Sequence, residues 1–205
     1  MIHEDNEGTR SEAALMIANG GVIAFRTDTF YALGVNPLNP EAIRKVKELK
    51  GREDDKPILL LISDLNQVDK FVAQSDFFKL VAARHWPAPL TLIGASLDHV
   101  PIELTAGTNS LGIRLPDDKD VRDFVRACGG ALTATSANIS GQPPARTAEE
   151  VQSYFPDGLE MIIDAGQVSV SEPSTVLDLS GRDPRVIREG AIRLEELEPI
   201  LRGRP

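Results

Sequence analysis

Apolar side chains recur along this chain in two rhythms, a helical one and short unbroken runs. The first covers Ser11 to Asn19, where Ala14, Leu15 and Ala18 share a helical spacing that stops at Gly20-Gly21. Val22 to Phe25 is then a short apolar run, so a strand is predicted, followed by a polar loop of functional type from Arg26 to Thr29 that leads into Gly34. Asn39-Pro40 supplies an N-cap and a proline at the first helical position. Ile43, Val46 and Leu49 mark one face of the helix that ends at Lys50. Ile58 to Ile62 is apolar at every position, the pattern of a central strand covered on both faces.

Asp64 and Ser75 cap two further predicted helices, the first carrying Leu65, Val68 and Val72, the second Phe78, Val81 and Ala82 and ending before Pro87. Strands are predicted at Leu90 to Ala95, Leu111 to Leu115 and Ala131 to Thr135. A capped helix runs from Asp117 to Cys128 and closes at Gly129-Gly130. Thr147 and Glu150 form a capping box. Late strands follow near Met161 to Asp164, Ser174 to Leu179 and Arg185 to Arg188, with a short helix at the end. This alternation predicts an α/β (α+β) chain in which helices flank one mixed sheet, and in which sequential late strands pair antiparallel.

A length of 205 residues fits one domain spanning 1–205. With 41% hydrophobic and 26% charged residues the composition is that of a globular protein, and it carries no functional signal. A net charge of −9 repels polyanions at long range, so phosphate or nucleic acid would need basic groups gathered in one place. One cysteine, Cys128, allows no intramolecular disulfide and suits a reducing compartment. No apolar run approaches about 18 residues and the first residues lack a signal-peptide pattern, so a cytoplasmic protein with no membrane partner is expected.

Common nucleotide signatures are missing: neither a phosphate loop ending in G-K-[ST] nor G-x-G-x-x-G after a strand occurs. His3, His85 and His99 have no metal-ligand spacing with each other or with Cys128, so no metal site is expected. Ser136 and Ser140 sit in no nucleophile elbow. Against the acidic background, Arg44, Lys45, Lys47, Lys50, Arg52 and Lys56 are clustered. They can be read as complements to a helix C-terminus, or as an anion site; of the six, Lys50, Arg52 and Lys56 flank a glycine and converge most easily on a phosphate. The run Thr135-Ser136-Ala137-Asn138-Ile139-Ser140-Gly141 puts hydroxyls and an amide directly beyond a strand, where ligands often bind in α/β sheets; a plain polar turn explains it as well.

Taken in order, these segments resemble the YrdC/TsaC family of threonylcarbamoyl-AMP synthases, from about Ala13 to Ile192. The matching pieces are Thr27 to Gly34, the K-x-R of Lys50 and Arg52, Trp86 to Thr91, Gly112 to Pro116, Thr135 to Gly141 with the S-x-N of Ser136 and Asn138, Ile163 to Gly166, Ser174 to Val176, and Arg188 to Gly190. The resemblance implies a three-layer YrdC-like fold, a twisted mixed sheet flanked by helices around a concave, positively lined cavity. It implies a nucleotidyltransferase that uses L-threonine, bicarbonate and ATP with Mg2+, and releases threonylcarbamoyl-AMP and pyrophosphate for tRNA modification. Carried over residue by residue, Arg52, Lys56, Ser110, Ser136, Asn138 and Arg188 are expected to contact ATP, and Thr29, Arg114 and Ser174 to contact threonine. Lys50 and Arg52 are the expected catalytic pair.

The chain departs from the family pattern at Arg26, Glu53, Ala88 and Asp118, where proline, proline, glycine and histidine are common. Leu61 and Pro144 stand where relatives have a ligand-contacting histidine and serine, so neither role transfers. The short form of the chain implies that separate transferase proteins carry the product to tRNA. The alternative reading is a module that binds tRNA or double-stranded RNA without making the adenylate; a carbamoyl-transfer domain is a third, lacking its expected zinc-finger and acylphosphatase-like companions.

Overall fold

The protein is described by a computed structural model over residues 1–51, 56–169 and 172–202. In chain order its elements are β1 (Ile2–Glu4), α1 (Glu7–Ala18), β2 (Ile23–Arg26), β3 (Tyr31–Gly34), α2 (Pro40–Lys50), β4 (Leu59–Ile62), β5 (Val72–Ala73), α3 (Asp76–His85), β6 (Leu90–Ser96) and α4 (Ile102–Thr105). They continue with β7 (Ser110–Arg114), α5 (Lys119–Ala127), β8 (Ala131–Ser136), α6 (Ala148–Tyr154), β9 (Met161–Asp164), β10 (Thr175–Asp178), β11 (Arg185–Arg188) and α7 (Leu194–Arg202). No described helix is long and apolar enough to cross a membrane.

One mixed, twisted sheet orders these strands β1-β9-β2-β3-β8-β4-β7-β6-β10-β11, with β5 paired to β6 off the main path. β4 lies in its middle, parallel to β7 and antiparallel to β8, as its unbroken apolar run requires. Side chains alternate between two cores. Val22, Ala24, Leu33, Leu60, Ile62, Leu92, Ile113 and Leu177 face a large core closed by α2, α3, α4, α6 and α7. Ile23, Phe25, Leu61, Leu132, Met161 and Ile163 face the other side, where Ala13 and Ile17 of α1 and Val121, Phe124 and Val125 of α5 cover them. This is a three-layer arrangement, with the second face covered over only part of its width.

Local chemistry accounts for the helix ends. Asn39 Oδ1 accepts from Ala42 N at 3.1 Å, and Gly51 closes α2 in the left-handed region at φ 57°. α1 begins four residues earlier than the apolar spacing predicts, because Asn6 caps it by accepting from Thr9 N at 3.0 Å. Thr147 Oγ1 caps α6 through Glu150 N at 3.2 Å, but the Glu150 carboxylate reaches back to Arg146 N at 2.6 Å, one residue beyond the partner of a capping box.

Several expectations are corrected. The segment after Asp64 is a 3-10 turn over Leu65–Lys70, and Val72 belongs to β5 instead of to a helix. The polar loop after β2 is short, because Tyr31–Gly34 turns back as β3, antiparallel to β2. β3 is inconspicuous in sequence: Ala32 and Gly34 are small, and Gly34 must be, since a Cβ there would lie 2.6 Å from Phe25 Cε1. Of the late strands, β10 and β11 do pair antiparallel, whereas β9 crosses to the opposite edge and lies parallel to β1 and β2.

Candidate active site

Where α1 and α5 end, the second face of the sheet is left open, and its strands line a cavity of about 490 Å3. Two-residue periodicity selects the lining. β6 contributes Thr91 and Ile93, β7 Gly112 and Arg114, β4 Leu59, β3 Ala32 and β8 Ala134 and Ser136. Ser174 and Val176 approach from β10 and its lead-in, and a register shift between Val176 and Leu177 bulges β11 so that both Ile187 and Arg188 reach the cavity. Gly112 is its floor: a Cβ there would sit 3.1 Å from Thr91 Cγ2.

The turn from β2 to β3 is held by Thr27. Its hydroxyl donates to Phe30 O at 2.7 Å and accepts from Thr29 N and Phe30 N, each at 3.2 Å. Thr29 is thereby fixed at the cavity wall, where its Oγ1 accepts from Arg114 Nη2 at 3.3 Å. Arg114 is 4% exposed and lies 2.9 Å from Asp28 Oδ1, an ion pair without hydrogen-bond alignment. Burial pushes the Asp28 pKa up while the Arg114 charge draws it back; burial likewise lowers that of Arg114, whose guanidinium stays charged because its starting value is so high.

On the far wall, the Ser174 hydroxyl shares a hydrogen bond with Thr91 Oγ1 at 3.0 Å. Arg188 donates to Ser174 O through Nε at 3.1 Å and Nη2 at 2.9 Å, and to Ser174 Oγ at 3.3 Å. Burial, then the charge of Arg114, hold the Arg188 pKa below its ordinary value. Gly190 makes this wall possible, because a Cβ there would meet Pro173 O at 2.2 Å. Among the described lining residues the cavity carries two arginines and no carboxylate. The charged groups of the described lining are therefore cationic, with Arg114 offset by Asp28 behind it.

The Thr135 to Gly141 segment divides its work. Thr135 and Ser136 line the cavity, while Asn138 is buried and its Nδ2 donates to Ile139 O at 2.9 Å and Gln142 O at 2.7 Å. Beneath it, the ammonium of Lys50, 2% exposed, donates to Ser136 O, to Asn138 O at 2.8 Å and to Asn138 Oδ1 at 3.4 Å. Lys50 thus holds the loop from below and is not part of the cavity lining.

A family model described as Sua5_yciO_yrdC, telomere recombination, matches residues 15–190. The chain belongs to the Sua5/YciO/YrdC family. It is 34% identical to the threonylcarbamoyl-AMP synthase of Pyrococcus abyssi over 92% of its own length and 56% of that protein's, and so spans about half of that relative. It is also 34% identical to the threonylcarbamoyl-AMP synthase of Idiomarina loihiensis, over 82% of this chain and 91% of the relative. The crystal structure of Pyrococcus abyssi Sua5 complexed with L-threonine superposes with a TM-score of 0.92 at 32% identity, over 98% of this chain and 60% of that one.

Within this Sua5/YciO/YrdC fold, Thr29, Arg114, Ser136, Ser174 and Arg188 meet at one cavity. Ser110 shares the cavity face of β7 by alternation but lies beyond Gly112 at the strand's start, its hydroxyl 3.1 Å from Thr108 Oγ1. Lys56 is exposed next to Pro57, a lining residue, and Arg52 lies outside the described residues. Pro144 lines the cavity, whereas Leu61 is fully buried among Phe25, Phe124 and Leu132.

Two of the departures from the family pattern meet each other: Arg26 Nη2 lies 2.8 Å from Asp118 Oδ2, and Asp118 Oδ1 caps α5 by accepting from Asp120 N and Val121 N. Asp28 is a residue that the sequence reading left out of the site. The available signal was a carboxylate set between two hydroxyls in a loop directly after a strand.

Proposed function

We propose that this chain forms threonylcarbamoyl-adenylate and pyrophosphate from L-threonine, bicarbonate and ATP, as a nucleotidyltransferase serving tRNA modification. One observation carries the reading: hydroxyls and guanidinium groups from distant parts of the chain converge on a single cavity with two separately equipped walls. On this reading Arg114, Thr29 and Ser174 hold the amino acid. Ser136 and Arg188 receive the nucleotide, with Lys56, Ser110 and Arg52 at its phosphate end and Asn138 shaping the loop that carries Ser136.

The chemistry asks for positioning. The threonine nitrogen combines with bicarbonate to give a carbamate and water, and a carbamate oxygen then attacks the α-phosphorus in line, breaking its bond to the bridging oxygen of the departing pyrophosphate. Two anions must be brought together, and the arginines offset their repulsion while the rigid walls set the approach. No side-chain nucleophile is needed. Lys50, proposed with Arg52 as the catalytic pair, acts from beneath by fixing the Ser136 loop.

Magnesium belongs here to the nucleotide. On this reading the ion enters as the counter-ion of ATP, whose phosphate oxygens are the hard ligands that magnesium prefers. The product would pass to separate tRNA-modifying transferase proteins.

Mass spectrometry of the protein with ATP, magnesium, bicarbonate and threonine, set against serine and valine, tests reaction and selectivity together. Threonylcarbamoyl-adenylate with threonine-dependent pyrophosphate is the expected outcome. Absence of both, with RNA binding that survives saturating ATP, would favour an RNA-binding module instead.

A further inference from the structure

Asp28 has no part in the chemistry described so far, yet it is the carboxylate that the fold brings against the buried guanidinium of the cavity. Its side chain is 7% exposed and both of its oxygens are buried. Burial raises its pKa, while the Arg114 charge and the backbone N–H groups of Asp28 and Asp117 favour the ionised form. A charge pair at this depth is costly to bury, which asks what it does.

The geometry supplies an answer. Asp28 and Thr29 both engage Nη2 of Arg114, at 2.9 Å and 3.3 Å, and Nε is buried, which leaves Nη1 as the nitrogen of this lining residue that can meet a ligand. A carboxylate is the acceptor that suits a guanidinium N–H, since a bond between opposite charges is about twice as strong as a neutral one. We propose that Asp28 is a positioning residue, which neutralises Arg114 and holds its guanidinium at the cavity wall for the carboxylate of an amino-acid substrate. That the amino acid is threonine and that Arg114 receives its carboxylate rest on the reading above; that Asp28 orients Arg114 rests on the buried pair.

Two features hold Asp28 in register. The Thr27 hydroxyl pins the turn that follows it, and the Arg26 to Asp118 ion pair ties the residue at the end of β2 to the start of α5. Without a nearby anion, Arg114 would share a low-dielectric site with Arg188, whose guanidinium already feels its charge. A free guanidinium there would swing toward solvent, and incoming substrate would have to restore its orientation at the expense of affinity.

The test compares Asp28→Asn and Arg114→Gln, singly and together, in steady-state assays and in calorimetric titration with L-threonine and L-threoninamide, which lacks the carboxylate. Asp28→Asn is expected to raise the KM for threonine about 10- to 100-fold, the scale of losing one partner of a buried charge pair, while kcat and the KM for ATP stay within about twofold. In the double variant, Asp28→Asn is expected to add nothing to Arg114→Gln, because there is no guanidinium left to position. The wild type is expected to prefer threonine over threoninamide and Asp28→Asn to lose that preference, a result readable even if no adenylate is ever formed.

Additive effects in the double variant, or a fall in kcat at unchanged threonine KM, would overturn the proposal and leave Asp28 a structural residue. Should Asp28→Asn fail to fold, Asp28→Glu keeps the charge on a longer arm. A raised threonine KM at wild-type kcat supports the proposal there, and an unchanged KM defeats it.

Discussion

The two halves of the second sheet face are made by the same alternation and come to opposite ends. Under α1 and α5, the inward positions of β2, β4, β8 and β9 are Ile23, Phe25, Leu61, Leu132, Met161 and Ile163, packed against one another and against the two helices. Across β7, β6 and β10 with its lead-in the same positions are Gly112, Arg114, Thr91, Ile93, Ser174 and Val176, and no described helix covers them. The first half stabilises through burial of apolar surface. The second keeps polar and charged side chains, Arg114 and Arg188 among them, bordering open space.

Substitutions can break this contrast from either side, and the largest effect is expected at Arg114. Arg114→Gln should lower kcat/KM for threonine at least about 100-fold, and should also destabilise the fold by about 3 kcal/mol because Asp28 is left buried and unpaired. Steady-state kinetics and denaturant unfolding read the two losses separately. Phe124→Ala, on the covered half, should cost about 3–5 kcal/mol of stability, since it opens a void against Phe25, yet leave the KM values of the folded protein in the proposed reaction unchanged. A shifted KM there would mean that the halves are not independent.

Gly112→Val should invert that pattern. Its backbone is ordinary, so the added side chain acts by space alone, crowding Thr91 and filling the cavity floor. Ligand affinity should fall about tenfold or more in titration calorimetry, for a stability cost of about 1–3 kcal/mol. Ser174→Ala removes a hydroxyl that bonds Thr91 and Arg188, and should raise the threonine KM by about three- to tenfold, near the 1 kcal/mol of one hydrogen bond.

The smallest effect is expected at Cys128. Burial pushes its thiol up to about 12, so almost no thiolate exists at neutral pH. Iodoacetamide at pH 8 should label the native protein far more slowly than the unfolded chain, and Cys128→Ala should leave kinetics unchanged.

The covered half was the legible one. Unbroken runs such as Ile58 to Ile62 and helix faces such as Ile43, Val46 and Leu49 announce themselves because burial on a periodic element demands apolar residues at fixed intervals. β3 escaped notice because its side chains are small where Phe25 crowds them, and β1 and β5 because so few residues mark them. In the open half, the ordered motifs brought Thr29, Arg114, Ser136, Ser174 and Arg188 to one cavity.

What the residues alone could not reveal was direction. Lys50 reads as a phosphate ligand from its place beside Gly51, but its ammonium turns down onto the carbonyl groups of the Ser136 loop. Asn138 reads as a ligand contact and spends its amide on its own turn. Both choices depend on which way a side chain faces once distant segments have packed, and a linear pattern carries no record of that. The pairing of Arg26 with Asp118 is of the same kind, two departures that become a unit across β2 and α5.

The account stands on the amino acid and the nucleotide lying side by side across the open half of the sheet. A crystal structure of the protein with L-threonine and a non-hydrolysable ATP analogue tests this most directly. It should find the threonine carboxylate on Arg114, its hydroxyl and amine near Thr29 and Ser174, and the nucleotide phosphates between Ser136 and Arg188. Either ligand bound away from this cavity, or both competing for the same wall, would contradict it.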